Sequence, residues 1–181
     1  MRQIVIYPSK ILRQKSQEVL KVDKKLKQEI EEVEEVLRKT DNGAGLPAIQ
    51  IGIKKRFFMM SKKRGMVINP KIIKTIGKKT YLKIEKGDLS EEDFLEGCLS
   101  VPDFFGTVKR WAKIEAEWAE LKGEELRKKT EVLEGFEAVI FQHELDHLNG
   151  ILFIDHIKRD GGKLYKSVAG KMIEWKVESV L

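Results

Sequence analysis

One six-residue stretch, Gln142-His143-Glu144-Leu145-Asp146-His147, constrains this chain more than any other. Apolar residues precede it (Phe136, Val139, Ile140, Phe141) and Gly150 follows as a stop, so the spacing predicts a helix over about 136 to 148. On a helix, residues i and i+4 lie one above the other on the same face. His143 and His147 can therefore grip one metal ion from consecutive turns, and Glu144 can reach a water on that metal. The spacing marks metal-assisted hydrolysis. Whatever else the chain forms must bring further ligands and a substrate site onto this helix.

The 181 residues suit one domain, 1–181, and 41% apolar residues mark a globular chain. The charged fraction, 35%, is high, with Lys and Glu dominant; heat-adapted surface ion pairs and a coding bias both account for it. A net charge of +6 permits an acidic partner, but simple solubility explains it as well. No base-reading motif accompanies the lysines, so no specific nucleic-acid binding is expected. Cys98 is the single cysteine, which excludes a disulfide within the chain and suits a reducing compartment. The N-terminus lacks the apolar core of a signal peptide, and no run approaches the ~18 apolar residues of a membrane span. A cytoplasmic protein, with no membrane contact, is the expectation.

Along the chain, Asp23 is a candidate N-cap, followed by Leu26, Ile30, Val33 and Leu37 at helical spacing. A helix over about 24 to 39 follows. It stops at Thr40-Asp41-Asn42-Gly43. The stretch from Gly43 through Gly45 and Leu46 to Gln50 carries a G-x-G that fails as a nucleotide loop, since no third glycine or Lys-Ser/Thr follows. It remains open as a loop laying its backbone beside a ligand. From 56 to 120 the period becomes that of short strands: Phe57–Met60, Met66–Ile68, Ile72-Ile73 and Tyr81–Ile84, with turns at 63–65 and Asn69-Pro70. Lys86 to Asp93 reads as a loop. Ile114, Ala116 and Trp118 alternate with charges as a half-buried antiparallel strand does, and Lys122-Gly123-Glu124 is a hairpin turn. Ile151 to Ile154 looks buried. A last, basic helix is expected over about 163 to 178, from Leu164, Val168, Met172 and Trp175.

The histidine pair needs a third ligand. A third His six residues after His147 would complete one protease pattern, but that position is Phe153. Glu174 would complete another, though it sits among surface-like lysines. His156 reads as structural or exposed rather than as a ligand. Cys98, flanked by Gly97 in a short apolar loop, is the better candidate, because Cys-His-His leaves a fourth position for water. A lone cysteine taken by itself is more often a buried, inert one.

Taken together, Gly43-x-Gly45-Leu46-x-Ala48-x-Gln50, Glu96-Gly97-Cys98-Leu99-Ser100 and Gln142-His143-Glu144-x-Asp146-His147 closely resemble the three signature motifs of the peptide deformylase family. Pro8, Leu12 and Arg13 near the N-terminus and Val108-x-Arg110 resemble that family too. Pro47 departs from it, standing where the first Ala of Leu-Ala-Ala is usual. The resemblance implies removal of the N-formyl group from the initiator methionine of nascent peptides. It implies a metal held by Cys98, His143 and His147, with Fe²⁺ physiological and Zn²⁺, Ni²⁺ or Co²⁺ able to occupy the site. Glu144 then takes a proton from the activated water and delivers one to the leaving amine. Gln50 and the Leu99 N–H serve the developing oxyanion. The substrate lies extended beside Gly43, Gly45 and Leu46, its methionine among Phe94, Phe136, Val139 and Ile140. Ribosome contact through the basic C-terminal helix is a further expectation.

Three rivals stand beside this reading: a small zincin-like metallopeptidase using Glu174, a structural metal module that holds RNA, and a deformylase-like deacylase with another acyl substrate, which Pro47 keeps open. The fold expected is α+β, with mixed, mainly antiparallel strands wrapped around the H-E-x-x-H helix and helices at both ends of the chain.

Overall fold

The structure, a computed structural model, describes residues 2–40, 43–86 and 90–180. Helix α1 (Lys24–Arg38) forms where the apolar spacing places it, and the Asp23 carboxylate accepts the Leu26 N–H at 2.8 Å. Leu26, Ile30, Val33 and Leu37 are buried. Each contributes about 1.5–3 kcal/mol by leaving water, and the charged face stays outside. Of the expected stop at 40–43, Asp41 and Asn42 lie outside the described residues.

Short strand β1 (Gly45–Pro47) leads through a 3-10 turn (Ala48–Ile51) to β2 (Phe57–Met60), its antiparallel partner. One helical turn, α2 (Ser61–Arg64), connects β2 to β3 (Met66–Tyr81). The sequence suggests separate short strands broken at Asn69-Pro70. The structure instead runs one strand through that point, with a register shift between Ile68 and Lys71. Asn69 takes a left-handed φ of 50°, and its side-chain amide both donates to the Val19 carbonyl and accepts the Val19 N–H, each at 2.8 Å. The amide stands in for the ladder at the bulge, so Pro70, which has no N–H, costs the sheet little.

The expected loop from 86 to 93 is in part a hairpin: β4 (Lys83–Lys86) pairs with β5 (Ser90–Asp93), and residues 87–89 lie outside the described residues. Pairing satisfies backbone groups that a loop would leave to water. Then come β6 (Leu95–Cys98), β7 (Val101–Thr107), β8 (Lys109–Lys122) and β9 (Glu125–Glu134). Helices α3 (Gly135–Leu148) and α4 (Phe153–Asp160) follow. Helix α4 was not apparent in the sequence; it buries Phe153, Ile154 and Ile157 within a run too short to show its period.

The C-terminal helix is not formed. Residues 164–175 make a hairpin of β10 (Leu164–Val168) and β11 (Lys171–Trp175), turning at Ala169-Gly170 with φ of 48° and 77°. Two successive left-handed residues suit a tight hairpin turn and break a helix. Only Leu164 of the supposed apolar stripe is buried, while Val168, Met172 and Trp175 are exposed. The four-residue spacing of those side chains was coincidence.

Strands run β1-β2-β3-β8-β9 in one sheet and β11-β10-β7-β6 in the other, and among the described residues every pair of neighbouring strands is antiparallel. The α+β expectation therefore holds. Helix α3 packs on β8, β1, β2 and β9 and is buried on most of its circumference. Phe141 stands edge-on to Phe58 at 5.4 Å and close to Trp118 at 5.8 Å. A second core lies beyond it, where Val101, Val108, Leu152, Phe153, Ile157 and Leu164 tie α4 to β7 and β10. After α3 the chain turns at Gly150 (φ 76°), where a Cβ would stand 2.5 Å from the Arg13 carbonyl oxygen. Only glycine fits there.

Candidate active site

The two sheets bring β6 to one side of α3 and β1 to the other. Cys98 closes β6, and its Sγ lies 3.2 Å from His147 Nε2. His147 Nε2 is in turn 3.2 Å from His143 Nε2, across one helical turn. Three donor atoms thus converge within 4.8 Å of one another, a group that could hold a metal ion. Tetrahedral bonds of about 2.0–2.3 Å to nitrogen and sulfur put neighbouring donors about 3.3–3.6 Å apart, close to what is observed. The thiol chemistry fits as well. Burial would raise the Cys98 pKa, but the His147 charge and the hydrogen bonds from both imidazoles bring it down to about 5, so sulfur is a thiolate at neutral pH.

A buried ionic network stands behind the ligands. His143 turns its Nδ1 to Glu96 Oε2 at 2.9 Å, which leaves Nε2 facing the donor cluster. Glu96 is gripped by Arg110 through Nε and Nη2, at 2.8 and 2.9 Å. Arg110 Nη1 also donates to Asp146 on α3. Burial alone would raise both carboxyl pKa values. For Glu96 the Arg110 charge prevails, and for Asp146 the His156 hydrogen bond and Arg110 do; each is held at about 2. Burial would likewise lower the His143 pKa, but Cys98 and Glu96 raise it well above the ordinary value. Gln142 locks the helix sideways: its amide accepts the Trp111 N–H at 3.0 Å and donates to the Trp111 carbonyl at 2.8 Å, like one more rung of the sheet.

The other side of the triad faces a cleft of about 490 Å³. Glu144 lies in its wall, with no Lys or Arg paired to it among the described residues. Burial pushes its pKa up to about 7 against the pull of His143 and His147. Its carboxylate abuts Gly45, where a Cβ would sit 2.5 Å from Oε1. Gln50, buried in the 3-10 turn after β1, points its amide nitrogen at the centre, 3.2 Å from both Cys98 Sγ and His147 Nε2. The arrangement combines a metal-binding triad, a carboxyl that exchanges its proton near neutrality and an amide donor, which is what amide hydrolysis requires.

Most residues singled out in the sequence meet here. Cys98, His143 and His147 converge, and Glu144, Gln50, Leu99, Gly43, Gly45, Phe94, Phe136, Val139 and Ile140 line the cleft. Phe94 and Phe136 stand edge to face, 5.3 Å apart, at one end of it. Leu46 is the exception, its side chain buried in the core against α1 rather than in the cleft. Glu174 is far from ligation: it lies exposed on β11, 3.7 Å from Lys163. His156 is buried, not exposed, and bonded to Asp146 at 2.7 Å. The roles of Glu96, Arg110, Asp146 and Phe105 were missed. Phe105 closes over Gly97, whose Cβ would meet its ring at 2.7 Å. A buried-charge argument from Glu96 and Arg110, both inside strands otherwise apolar on that face, would have flagged the first two.

Comparison with known proteins agrees with this geometry. Residues 1–162 match the family model for polypeptide deformylase. Peptide deformylase 2 of Clostridium acetobutylicum is 38% identical over 157 residues, covering 86% of this chain and 94% of its own. The crystal structure of peptide deformylase from Thermotoga maritima superposes with a TM-score of 0.72 at 36% identity, covering 86% of this chain and 97% of that one. A Plasmodium falciparum peptide deformylase bound to an inhibitor gives 0.71 at 35%, covering 85% and 88%. The chain belongs to the polypeptide deformylase family and is an enzyme, a metallohydrolase that removes the N-formyl group from nascent polypeptides.

Proposed function

We propose that Cys98, His143 and His147 hold the catalytic ion and that the substrate is a nascent peptide beginning with formyl-methionine. The observation that carries this reading is the meeting of Gln50 Nε2, Cys98 Sγ and the two histidine Nε2 atoms in steps of 3.2 Å beside a buried Glu144. A divalent metal held there would supply Lewis-acid chemistry, lowering the pKa of a water and polarising the formyl group. Fe²⁺ is the ion proposed in the cell, with Zn²⁺, Ni²⁺ or Co²⁺ as replacements. Glu144 takes the proton of the attacking water and returns one to the amine that leaves. The Gln50 amide and the Leu99 N–H donate to the oxyanion.

The cleft lies between two sheet edges, β1 with Gly43 and Gly45 before and within it, and β6 with Gly97. An extended peptide adds there as a strand, its backbone against both, which excludes a side chain at Gly45. The methionine side chain enters among Phe94, Phe136, Val139 and Ile140. Pro47 lies buried in β1 opposite Phe58, so it stiffens the edge without entering the cleft. This favours the formyl substrate over a different acyl group.

Among the described residues no helix is long and apolar enough to cross a membrane. A cytoplasmic site is proposed for the enzyme. The proposed ribosome contact passes from a helix to the β10–β11 hairpin, with Lys166 on β10 and Lys171 on β11. It fails if charge reversal of both leaves co-sedimentation with ribosomes unchanged. The decisive experiment for the function is formate release from a formyl-Met peptide, with metal analysis of the same anaerobic preparation. Metal at one equivalent with turnover is expected, both lost in Cys98→Ser. Survival of both in that variant overturns the reading.

A further inference from the structure

We infer that His156 is a positioning residue for the active site, holding the His143 imidazole in place through Asp146, Arg110 and Glu96. The inference rests on the metal-site reading above and extends it outward. His156 is buried on α4, ten residues from Asp146 and on a different helix. Its Nε2 lies 2.7 Å from Asp146 Oδ2 and 3.4 Å from Arg110 Nη1. On the far side of the ring Arg159 Nη2 stands 2.6 Å from Nδ1. A guanidinium has donors and no acceptor, so Nδ1 must accept. Nε2 then carries an N–H, which it donates to Asp146 Oδ2. Arg159 is itself held by Asp160 through two bonds of 2.7 Å.

The result is a chain of alternating donors and acceptors from the surface to the ligand: Asp160, Arg159, His156, Asp146, Arg110, Glu96, His143. Its members come from α4, α3, β8 and β6. Arg110 is its pivot, one guanidinium shared by the buried Glu96 and the half-buried Asp146. His156 supplies Asp146 with a second donor. Without it Asp146 depends on Arg110 alone, and Arg110 is drawn from its two-point grip on Glu96, the group that orients His143. The effect on the metal is thus indirect, through ligand orientation.

The test compares His156→Phe, His156→Gln and His156→Asn in full-length, Co²⁺-loaded protein. Gln places an amide N–H where Nε2 stood, whereas Asn reaches only the Nδ1 position. Transfer of Co²⁺ to a chelator is followed by the thiolate-to-cobalt absorption, alongside kcat and KM for a formyl-Met peptide. The Phe and Asn variants should lose Co²⁺ about tenfold faster, the lower end for groups behind a ligand. Their kcat should fall with KM within twofold, and Gln should restore both. Should Phe fail to fold, the Gln and Asn pair decides alone. Folded Phe or Asn variants that keep wild-type Co²⁺ retention and kcat overturn the inference, as does a Gln variant no better than Asn. A wild-type protein that binds no Co²⁺ sinks the metal site itself, and this inference with it.

Discussion

Helix α3 carries two carboxylates two residues apart whose environments are opposite. Asp146 points to the side where Arg110 and His156 donate to it, and it is held at about 2. Glu144 points into the cleft, where burial, with no Lys or Arg paired to it among the described residues, raises it to about 7 against the pull of His143 and His147. Both are withdrawn from water, so desolvation alone does not separate them; the presence or absence of a dedicated cation does. The pair shows how one helix serves two ends. A permanently charged carboxylate is an anchor for structure, and a carboxyl poised near neutrality is a proton carrier.

Removing the poised member should have the larger functional effect. Glu144→Gln keeps shape and loses proton transfer, so kcat should fall about 10²–10⁴-fold while metal content stays near one equivalent. A fall of less than tenfold would remove Glu144 from the proton path. Breaking the anchored side instead should cost stability. Arg110→Met strands Glu96 and Asp146 as buried charges, a loss of about 3–5 kcal/mol in denaturant unfolding. If the variant unfolds at the wild-type midpoint, Arg110 is not the pivot. Between these lies Gly45→Ala, which touches Glu144 without altering its chemistry. The new Cβ must displace a carboxylate 2.5 Å away. A displacement of this kind costs about 100-fold in kcat, with the fold intact by circular dichroism.

The poised side of α3 was far more legible in the sequence than the anchored side. His143, Glu144 and His147 are set by one helical period, and Cys98, Gln50 and Gly45 stand out as unusual residue types in apolar or glycine-rich stretches. The anchoring network has no local period: Arg110 meets Glu96 across 14 residues and Asp146 across 36. Such contacts are created by the sheets, and single-chain pattern reading sees only the charges. The fold divides the same way. Helices α1 and α3 span enough turns to display their spacing, whereas the long β3 was cut at Pro70 because the compensating amide of Asn69 reaches back to Val19. At the C-terminus the apolar spacing pointed to a helix, but Ala169-Gly170 took left-handed dihedrals and folded β11 back onto β10, the strand that pairs with β7.

The smallest effect, and the one that separates the two carboxylates by sign, is the pH dependence of stability in metal-free protein. Glu96 and Asp146 have native values of about 2 against ordinary values of 4.5 and 3.8. Groups depressed in this way stabilise the fold above about 4.5, and that contribution drains away as pH falls towards 2. Each proton taken up on unfolding gives a slope of at most about 1.4 kcal/mol per pH unit. Glu144 runs the other way. Its native value of about 7 lies above the ordinary 4.5, so its contribution is present below 4.5 and is lost as pH rises towards 7. Glu144→Gln should therefore unfold at higher denaturant than wild type at pH 8 and at the same denaturant at pH 4.5. Asp146→Asn should be the less stable protein at pH 8, with the gap closing as the pH approaches 2. If both substitutions shift stability in the same direction at pH 8, burial rather than the Arg110 cation governs both carboxylates, and the division of α3 into an anchored and a poised side fails.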